Sequence, residues 1–374
     1  MKSATSLSRR TFLASASIAT VADLSHRARA EEPDPLIDTD TWIRRQAEKA
    51  PLSMRVRGAT AAECRKWQDQ FAAKLRSLLG PHLPPAKWKT VTRNGVDLKD
   101  HRREELLLEA EGYPPLPIYL LSPHRKSDKP GPAIVALHGH GPFGHHPVAG
   151  RDELDGVAAA IKSSNYDYGR QLVRRGYVVA VPCLTPFGPR QGKRESSSKQ
   201  DLCAVTFVRM QLLGKLLIAE NLRDCLWAVE LLARHPRVDS KRLGCVGLSF
   251  GGRMTMLAAA LEPRIRIAVI SGALNVMQER IAGRYSCGAQ VIPRLLEYGD
   301  VPEIGALIAP RPAIWEVGKR DGLIAPRWAE EALRRMRIAY KALGGSERLL
   351  VDCFDGGHRW NGALALPQLE KALE

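Results

Sequence analysis

Short apolar runs alternate with stretches of helical periodicity from Pro132 to the end of the chain. The runs predict buried strands at residues 133–137, 177–181, 243–248, 265–270, 313–317 and 349–353. The intervening patterns predict helices at residues 168–175, 203–233, 251–261, 327–343 and 364–373. Because strands that are apolar throughout are buried on both faces, the alternation predicts an α/β fold with a mostly parallel central sheet covered by helices.

The residues before this region carry a different pattern. Residues 60–79 predict an amphipathic helix that begins with a Thr60/Glu63 capping box and ends at Gly80-Pro81. Its apolar stripe consists of Cys64, Trp67, Phe71, Leu75 and Leu78. Segments 87–93, 104–110 and 116–121 predict antiparallel strands, with a turn at Asn94-Gly95 after the first. We expect residues 31–130 to pack on a core of residues 131–374, so that 31–374 form one compact unit.

The first thirty residues (1–30) have the features of an export signal. The pair Arg9-Arg10 precedes an apolar stretch at residues 14–22, and Ala28 and Ala30 frame a cleavage site between small residues. This pattern resembles a twin-arginine signal. We therefore expect the twin-arginine export machinery as a partner, cleavage near Ala30, and a periplasmic or secreted protein.

The composition narrows the class of protein. A hydrophobic content of 44% is typical of a globular chain and excludes disorder and collagen-like architecture. No apolar run reaches the roughly 18 residues of a spanning helix, so we expect no stable membrane insertion. The formal net charge of +16 favours anionic partners in general, but the basic residues are scattered, and we expect no nucleic-acid partner.

The seven cysteines are widely spaced and form no C-x-x-C pair, so their spacing indicates no zinc motif. A chain that folds in the reducing cytoplasm before export does not need disulfides, and we expect at most one. We expect neither a metal nor an organic cofactor.

The sharpest motif is GLSFG at residues 247–251, which lies between a predicted strand and a predicted helix. In this setting a G-x-S-x-G segment forms a tight strand-to-helix turn, and small residues are needed because a side chain would clash there. The turn leaves the serine hydroxyl exposed above the helix N-terminus. Ser249 is therefore the predicted nucleophile.

A serine hydroxyl needs a histidine to accept its proton and an acid to orient that histidine. Asp321 follows the predicted strand 313–317, and His358 follows the strand 349–353. The order Ser249, Asp321, His358 is the order that this kind of turn uses. Asp352 and Asp355 are alternative acids.

The oxyanion of acyl transfer needs backbone N–H donors. We expect one from Phe250 and another from Gly139 or His140, in the HGHG segment that follows the strand 133–137. The nearby histidines could instead suggest a metal, but no carboxylate or cysteine spacing completes a site. Loop 186–200 and segment 275–298 are candidate walls of the substrate pocket, and Arg190 is a candidate contact for an anionic sugar group.

Together these motifs resemble the serine α/β-hydrolases, and within them the dienelactone-hydrolase-like esterases that include secreted acetyl-xylan-esterase-like enzymes. The resemblance spans about residues 60–370 and rests on segments 137–141, 247–253, 261–265, 309–312, 318–321 and 357–358. It implies hydrolysis of acylated or methyl-esterified carbohydrate through an acyl-enzyme. Dienelactone hydrolases proper carry Cys where Ser249 stands, and glucuronoyl esterases carry Arg where Phe250 stands.

Three other functions are open at this point. The chain could be a general carboxylesterase for small esters. A peptidase of the same fold usually adds a large propeller or cap domain, for which residues 31–130 are short. A non-catalytic carbohydrate-binding relative would keep the fold and lose the chemistry, which the complete Ser-Asp-His set disfavours.

Overall fold

The computed structural model describes residues 38–124, 129–192, 201–283 and 287–374, and the described residues from Trp42 onward form one compact unit. The predicted export signal and its cleavage site lie outside the described residues. The strands are β1 (Lys89–Asp97), β2 (His101–Glu109), β3 (Leu116–Pro123), β4 (Gly131–Leu137), β5 (Val178–Pro182), β6 (Val238–Leu248), β7 (Ile265–Ser271), β8 (Ala313–Gly318) and β9 (Leu349–Phe354). The α-helices are α1 (Thr39–Glu48), α2 (Ala61–Leu79), α3 (Val157–Ser164), α4 (Tyr168–Arg174), α5 (Leu202–Leu212), α6 (Leu217–Ala233), α7 (Phe250–Leu261), α8 (Met277–Gly283), α9 (Leu295–Tyr298), α10 (Val301–Ala306), α11 (Pro326–Ala342) and α12 (Ala365–Leu373).

These strands form one sheet in the order β1-β2-β3-β5-β4-β6-β7-β8-β9. Every pair from β5 to β9 is parallel, whereas β1, β2 and β3 pair antiparallel with each other and β3 pairs antiparallel with β5. The predicted α/β fold, with its parallel centre and antiparallel start, is confirmed. In such sheets, functional residues gather where the parallel strands end.

Apolar side chains cover both faces of the sheet. Along β4, Val135 joins the core on one face together with Trp227 and Phe250. Its neighbour Ile134 joins the core on the opposite face, where Tyr168 and Trp360 are fully buried. Because successive side chains of a strand point to opposite faces, a central strand with two covered faces must be apolar at every position.

Helix α2 begins as its sequence predicts. The Thr60 hydroxyl accepts a hydrogen bond from the Glu63 N–H, and the Glu63 carboxylate accepts one from the Thr60 N–H, so the capping box is confirmed. The predicted stripe is buried except that Leu79, not Leu78, completes it. Trp67 and Phe71 stack with 5.6 Å between ring centroids.

The prediction of a turn at Asn94-Gly95 is wrong. Strand β1 runs through both residues, and its register against β2 shifts between Thr92 and Asn94. A bulge accommodates an additional residue without ending the strand pairing, so the Asn-Gly pair need not turn the chain. The reversal comes later, where the Leu98 N–H donates to the His101 carbonyl at 2.9 Å.

The single helix predicted at residues 203–233 is two helices. Helices α5 and α6 meet at 99°, and Gly214 between them has a φ of 65°. This left-handed conformation is easy only for glycine and ends a helix. Among the described helices none is by itself long and apolar enough to cross a membrane; α5 and α6 pass that test only as a bent pair.

The packing of α2 makes a stability prediction. Phe71 is fully buried, so Phe71→Ala should lower the free energy of unfolding by about 3–5 kcal/mol because it leaves a cavity. The exposed neighbour Gln70 is the matched control, and Gln70→Ala should change the value by no more than about 0.5 kcal/mol. Urea unfolding of the variants measures both. Equal midpoints for Phe71→Ala and the unsubstituted protein would contradict this packing.

Candidate active site

Ser249 occupies a sharp turn between the end of β6 and the start of α7. Its φ of 63° lies in the left-handed region, which is strained for a residue with a side chain. A Cβ atom at Gly251 would lie 1.9 Å from the carbonyl oxygen of Leu137, and one at Gly247 would lie 2.4 Å from the carbonyl carbon of Gly251. Only glycine fits at either position, as the sequence motif predicts.

His358 and Asp321 meet across two neighbouring loops. Asp321 follows β8 and His358 follows β9, and Nδ1 of the histidine lies 2.7 Å from Oδ2 of the aspartate. The other oxygen, Oδ1, accepts a hydrogen bond from the Leu323 N–H at 2.9 Å. The Asp321 side chain is only 1% exposed, whereas that of His358 is 29% exposed. The imidazole is therefore held by a buried carboxylate through Nδ1, and Nε2 is the nitrogen left for chemistry.

The alternative acids have other partners. The Asp352 Oδ2 accepts a hydrogen bond from the Asn361 side-chain amide at 2.7 Å. Asp355 forms an ion pair with Arg320, and its side chain is 76% exposed. Asp321 is thus the acid that contacts His358.

Ser249 and His358 line one cavity of about 390 Å³. Segment 275–298, a predicted wall, contributes Asn275, Cys287 and Gln290 to it. The lining residues are His140, Ser164, Tyr166, Asp201, Leu248, Ser249, Phe250, Gly272, Ala273, Asn275, Arg280, Cys287, Gln290, Leu323 and His358. The lining of the cavity thus combines polar and charged side chains with apolar ones.

Part of this wall is held by the helix that follows the nucleophile. Arg253 on α7 is buried and donates from Nη2 to the Asn275 carbonyl at 3.0 Å and from Nε to Oε1 of Gln290 at 3.3 Å. Burial lowers the pKa of Arg253 to about 10. The guanidinium thereby ties the cavity wall to the nucleophile turn.

The first histidine of the HGHG segment is structural. His138 is fully buried, and its Nε2 accepts a hydrogen bond from the Leu184 N–H at 2.9 Å. Its Nδ1 must then carry the proton and donate to the Gly139 carbonyl at 2.7 Å. Burial lowers the pKa of His138 to about 4, so the ring is neutral. It fixes the loop after β4 against the loop after β5.

Tyr166 is a residue of the site that sequence reasoning missed. The Gly139 N–H, a predicted oxyanion donor, donates to the Tyr166 hydroxyl oxygen at 2.6 Å. Tyr166 lines the cavity beside Ser249, and burial raises the pKa of its hydroxyl, which stays protonated. No sequence pattern marks this tyrosine, because it lies in the connection between α3 and α4.

His140 and Phe250 are the other predicted oxyanion donors. Both residues line the cavity, and their rings lie 5.2 Å apart between centroids. The Phe250 N–H belongs to the first residue of α7. Since the Gly139 N–H already donates to Tyr166, the predicted choice between Gly139 and His140 favours His140.

Arg190 does not reach the cavity. Its Nη1 donates to the Cys183 carbonyl at 2.8 Å and forms an ion pair with Asp224, a fully buried residue of α6. The Arg190 side chain is only 9% exposed and does not line the cavity. The predicted contact with substrate is therefore not supported, because Asp224 draws the guanidinium into the interior. Residues 193–200 of the same loop lie outside the described residues.

The other loop histidines pack on a tyrosine. The His145 ring stacks on that of Tyr119 with 4.5 Å between centroids, and His146 Nδ1 lies 2.9 Å from the Tyr119 hydroxyl. Burial lowers the pKa of both histidines.

Cysteine spacing indicated no metal site, but the structure brings one candidate group together. The ligand atoms of His140, Cys203 and Cys287 all lie within 4.8 Å of one another. All seven cysteines are free thiols, and every one except Cys353 is buried. Contact with the Cys203 thiol and with His140 lowers the pKa of Cys287.

A buried carboxyl lies beneath the His358 loop. Glu316 on β8 is 1% exposed and accepts hydrogen bonds from the Gly362 N–H at 2.7 Å and from the Asn361 N–H at 3.3 Å. These donors favour the charged form, but burial outweighs them and raises the pKa of Glu316 to about 7. Glu316 thus holds the chain that follows His358.

Part of the chain is similar in sequence to known hydrolases. The Dienelactone hydrolase family model matches residues 152–281, which include the nucleophile turn. YtaP of Bacillus subtilis (strain 168), whose name describes it as a hydrolase, is 29% identical over 262 residues, covering 68% of this chain and 82% of YtaP.

Solved structures agree in fold. A Bacteroides fragilis NCTC 9343 protein described as an acetyl xylan esterase superposes with a TM-score of 0.76 at 17% identity, covering 91% of this chain and 97% of the other. The glucuronoyl esterase from Solibacter usitatus superposes with a TM-score of 0.59 at 14% identity, covering 82% and 93%.

Residues 152–281 thus match the Dienelactone hydrolase family, and the chain has the α/β-hydrolase fold. These matches support a hydrolase that acts on ester bonds.

The environment of Glu316 makes a pH prediction. A carboxyl whose pKa is about 7 when folded and about 4.5 when unfolded binds more protons in the folded state between these values. The contribution of Glu316 to the free energy of unfolding should therefore fall as the pH rises from about 5 through 7. Relative to Glu316→Gln, which cannot ionise, the unsubstituted protein should lose stability across this range.

Thermal unfolding of both proteins between pH 5 and pH 8 measures this difference. Parallel curves for the variant and the unsubstituted protein would mean that folding does not raise the pKa of Glu316.

Proposed function

We propose that this protein is an exported serine esterase that acts on acylated or methyl-esterified carbohydrate. The observation that carries the proposal is the Asp321–His358 hydrogen bond at the edge of a cavity that Ser249 also lines. Such an arrangement activates a serine hydroxyl for attack on a carbonyl. Export rests on the Arg9-Arg10 signal pattern.

In the proposed reaction, Ser249 Oγ attacks the ester carbonyl carbon while Nε2 of His358 accepts the hydroxyl proton. The resulting imidazolium is stabilised by the Asp321 side chain. His358 then donates that proton to the departing alcohol oxygen as the carbon–oxygen bond breaks. Water attacks the acyl-enzyme with the same histidine as base, which releases the acid and restores Ser249.

The oxyanion needs donors that are aimed at the cavity before the reaction starts. The N–H groups of Phe250 and His140 fit this role. We add the Tyr166 hydroxyl. It accepts a hydrogen bond from the Gly139 N–H, and none of the described residues accepts its own proton, which is therefore available to the oxyanion. A hydroxyl that accepts one hydrogen bond becomes a better donor in the next.

The cavity wall supports a carbohydrate substrate. Asn275 and Gln290 line the cavity, and Arg280 adds a positive charge to the same wall. Polar groups of this kind bind sugar hydroxyls and uronate carboxylates. The glucuronoyl and acetyl xylan esterases with the same fold are consistent with this class of substrate.

Hydrolysis of a panel of esters tests the function. The panel contains p-nitrophenyl acetate, longer acyl esters, acetylated xylan and methyl esters of uronic acids. Release of acetate or methanol from the carbohydrate esters, with little activity on long acyl chains, is the expected result. Preference for long acyl chains or for activated aryl esters alone would instead indicate a general carboxylesterase.

The Ser249→Ala variant is the matched control for the panel. Its turnover should fall by a factor on the order of 10⁴ or more, because the nucleophile is lost. The midpoint of its thermal unfolding should stay unchanged. A fluorophosphonate probe should label the unsubstituted protein and not the variant. Turnover that survives the substitution would refute the assignment, and a folded but unlabelled parent protein would favour a non-catalytic carbohydrate-binding role.

Tyr166→Phe tests the proposed hydroxyl donor. It should lower kcat by about 10²-fold with little change in KM, because the donor acts on the oxyanion and not on bound ester. Tyr340→Phe is the control: this buried tyrosine loses one hydrogen bond, to the Arg311 carbonyl at 2.9 Å, away from the cavity. Steady-state kinetics on p-nitrophenyl acetate measure both. Unchanged kcat in Tyr166→Phe would exclude the hydroxyl from the reaction.

A further inference from the structure

We propose that His140, Cys203 and Cys287 form a binding site for a thiophilic divalent metal ion such as Zn²⁺ at the rim of the Ser249 cavity. His140 follows β4, Cys203 lies in the first turn of α5, and Cys287 precedes the short 3₁₀ turn Gly288–Gln290. The imidazole nitrogen and the two sulfur atoms lie within 4.8 Å of one another. Three distant parts of the chain thus place three soft ligands together.

The dimensions suit zinc. Zn–S bonds of about 2.3 Å and Zn–N bonds of about 2.0–2.1 Å in a tetrahedron place ligand atoms about 3.5–4 Å apart. The three side chains therefore need to close by about 1 Å or less around an ion. Three protein ligands leave the fourth position for water or a substrate oxygen, as in sites that stay open to solvent.

The site is buried but can be reached. Cys203 and Cys287 are 3% and 7% exposed, whereas His140 is exposed. His140 and Cys287 line the Ser249 cavity, and His140 and Cys203 line a second, adjoining pocket. An ion therefore has an entry path, which a metal site requires. Cys245 differs from these two cysteines because it lies in the apolar core, where its thiol is 3.6 Å from the Thr255 hydroxyl.

Surrounding groups orient the ligands. The Ala289 N–H donates to Cys287 Sγ at 3.3 Å, and the Cys203 N–H donates to Oδ1 of Asp201 at 2.8 Å. The first bond stabilises negative charge on the sulfur, and the second fixes the first turn of α5. The His140 ring lies 5.3 Å from the Phe187 ring and 5.2 Å from that of Phe250, so aromatic packing sets its position. Such outer contacts are what hold metal ligands in place.

Occupation of the site should reduce ester hydrolysis. This consequence rests on the proposed function, since His140 belongs to the loop that we expect to donate to the oxyanion. An ion on its imidazole would restrain that loop and narrow the cavity beside Ser249. Metal binding itself does not depend on the protein being an esterase, so the two ideas can fail separately.

The test starts from purified, reduced and metal-free protein. Zn²⁺ affinity is measured by competition with a chromophoric chelator, and Co²⁺ is used as a spectroscopic probe of sulfur coordination. We expect one ion per chain, a thiolate-to-Co²⁺ absorption band, and affinity at least about tenfold weaker in Cys203→Ser and Cys287→Ser. Cys353→Ser removes the exposed thiol and should leave affinity unchanged. Circular dichroism checks that each variant folds. If only one of the two cysteine variants folds, its metal affinity alone is sufficient to test the site.

Equal affinity in the parent protein and in both folded cysteine variants would overturn the site. A Cys203–Cys287 disulfide in the protein isolated without reductant, found by mass spectrometry, would also overturn it. Turnover of p-nitrophenyl acetate, measured before and after Zn²⁺ loading and again after EDTA, should fall and then recover. Specific binding without loss of turnover would overturn the inhibitory effect, and loss of turnover that persists in Cys203→Ser would assign inhibition to another location.

Discussion

The absence of space at Gly251 controls how this active site is assembled. Its Cα lies so close to the Leu137 carbonyl that no Cβ fits, and this contact brings the start of α7 against the end of β4. The nucleophile turn and the HGHG loop are therefore adjacent because the backbone is packed tightly there. The surrounding strand and helix impose a strained, left-handed φ on Ser249.

The remaining members of the site depend on parallel pairing. Strands β8 and β9 pair in register up to Gly318 and Phe354, so the loops that follow them start side by side. Backbone hydrogen bonds continue beyond the strands, from the Lys319 N–H to the Phe354 carbonyl at 3.0 Å and from the Arg320 N–H to the Gly356 carbonyl at 2.8 Å. Two loops tied in this way bring an aspartate and a histidine within hydrogen-bonding distance.

Sequence patterns predicted the parts that depend on local rules. The parallel strands, the capping box of α2 and the nucleophile turn each follow from a few neighbouring residues. The failures occurred where a pattern has more than one structural solution. Asn94-Gly95 lies within β1 because a bulge absorbs it, and the apolar stretch 203–233 is broken because Gly214 takes a left-handed conformation between α5 and α6.

The sequence by itself determined the α/β class and the candidates Ser249, Asp321 and His358, since the order of strands and the residues that follow them are local information. Only the tertiary structure decided that Tyr166 receives the Gly139 N–H and that Cys203 and Cys287 meet beside His140. These contacts join segments that no motif links. Their distances depend on how loops fold over the sheet, which is set by packing and not by spacing along the chain.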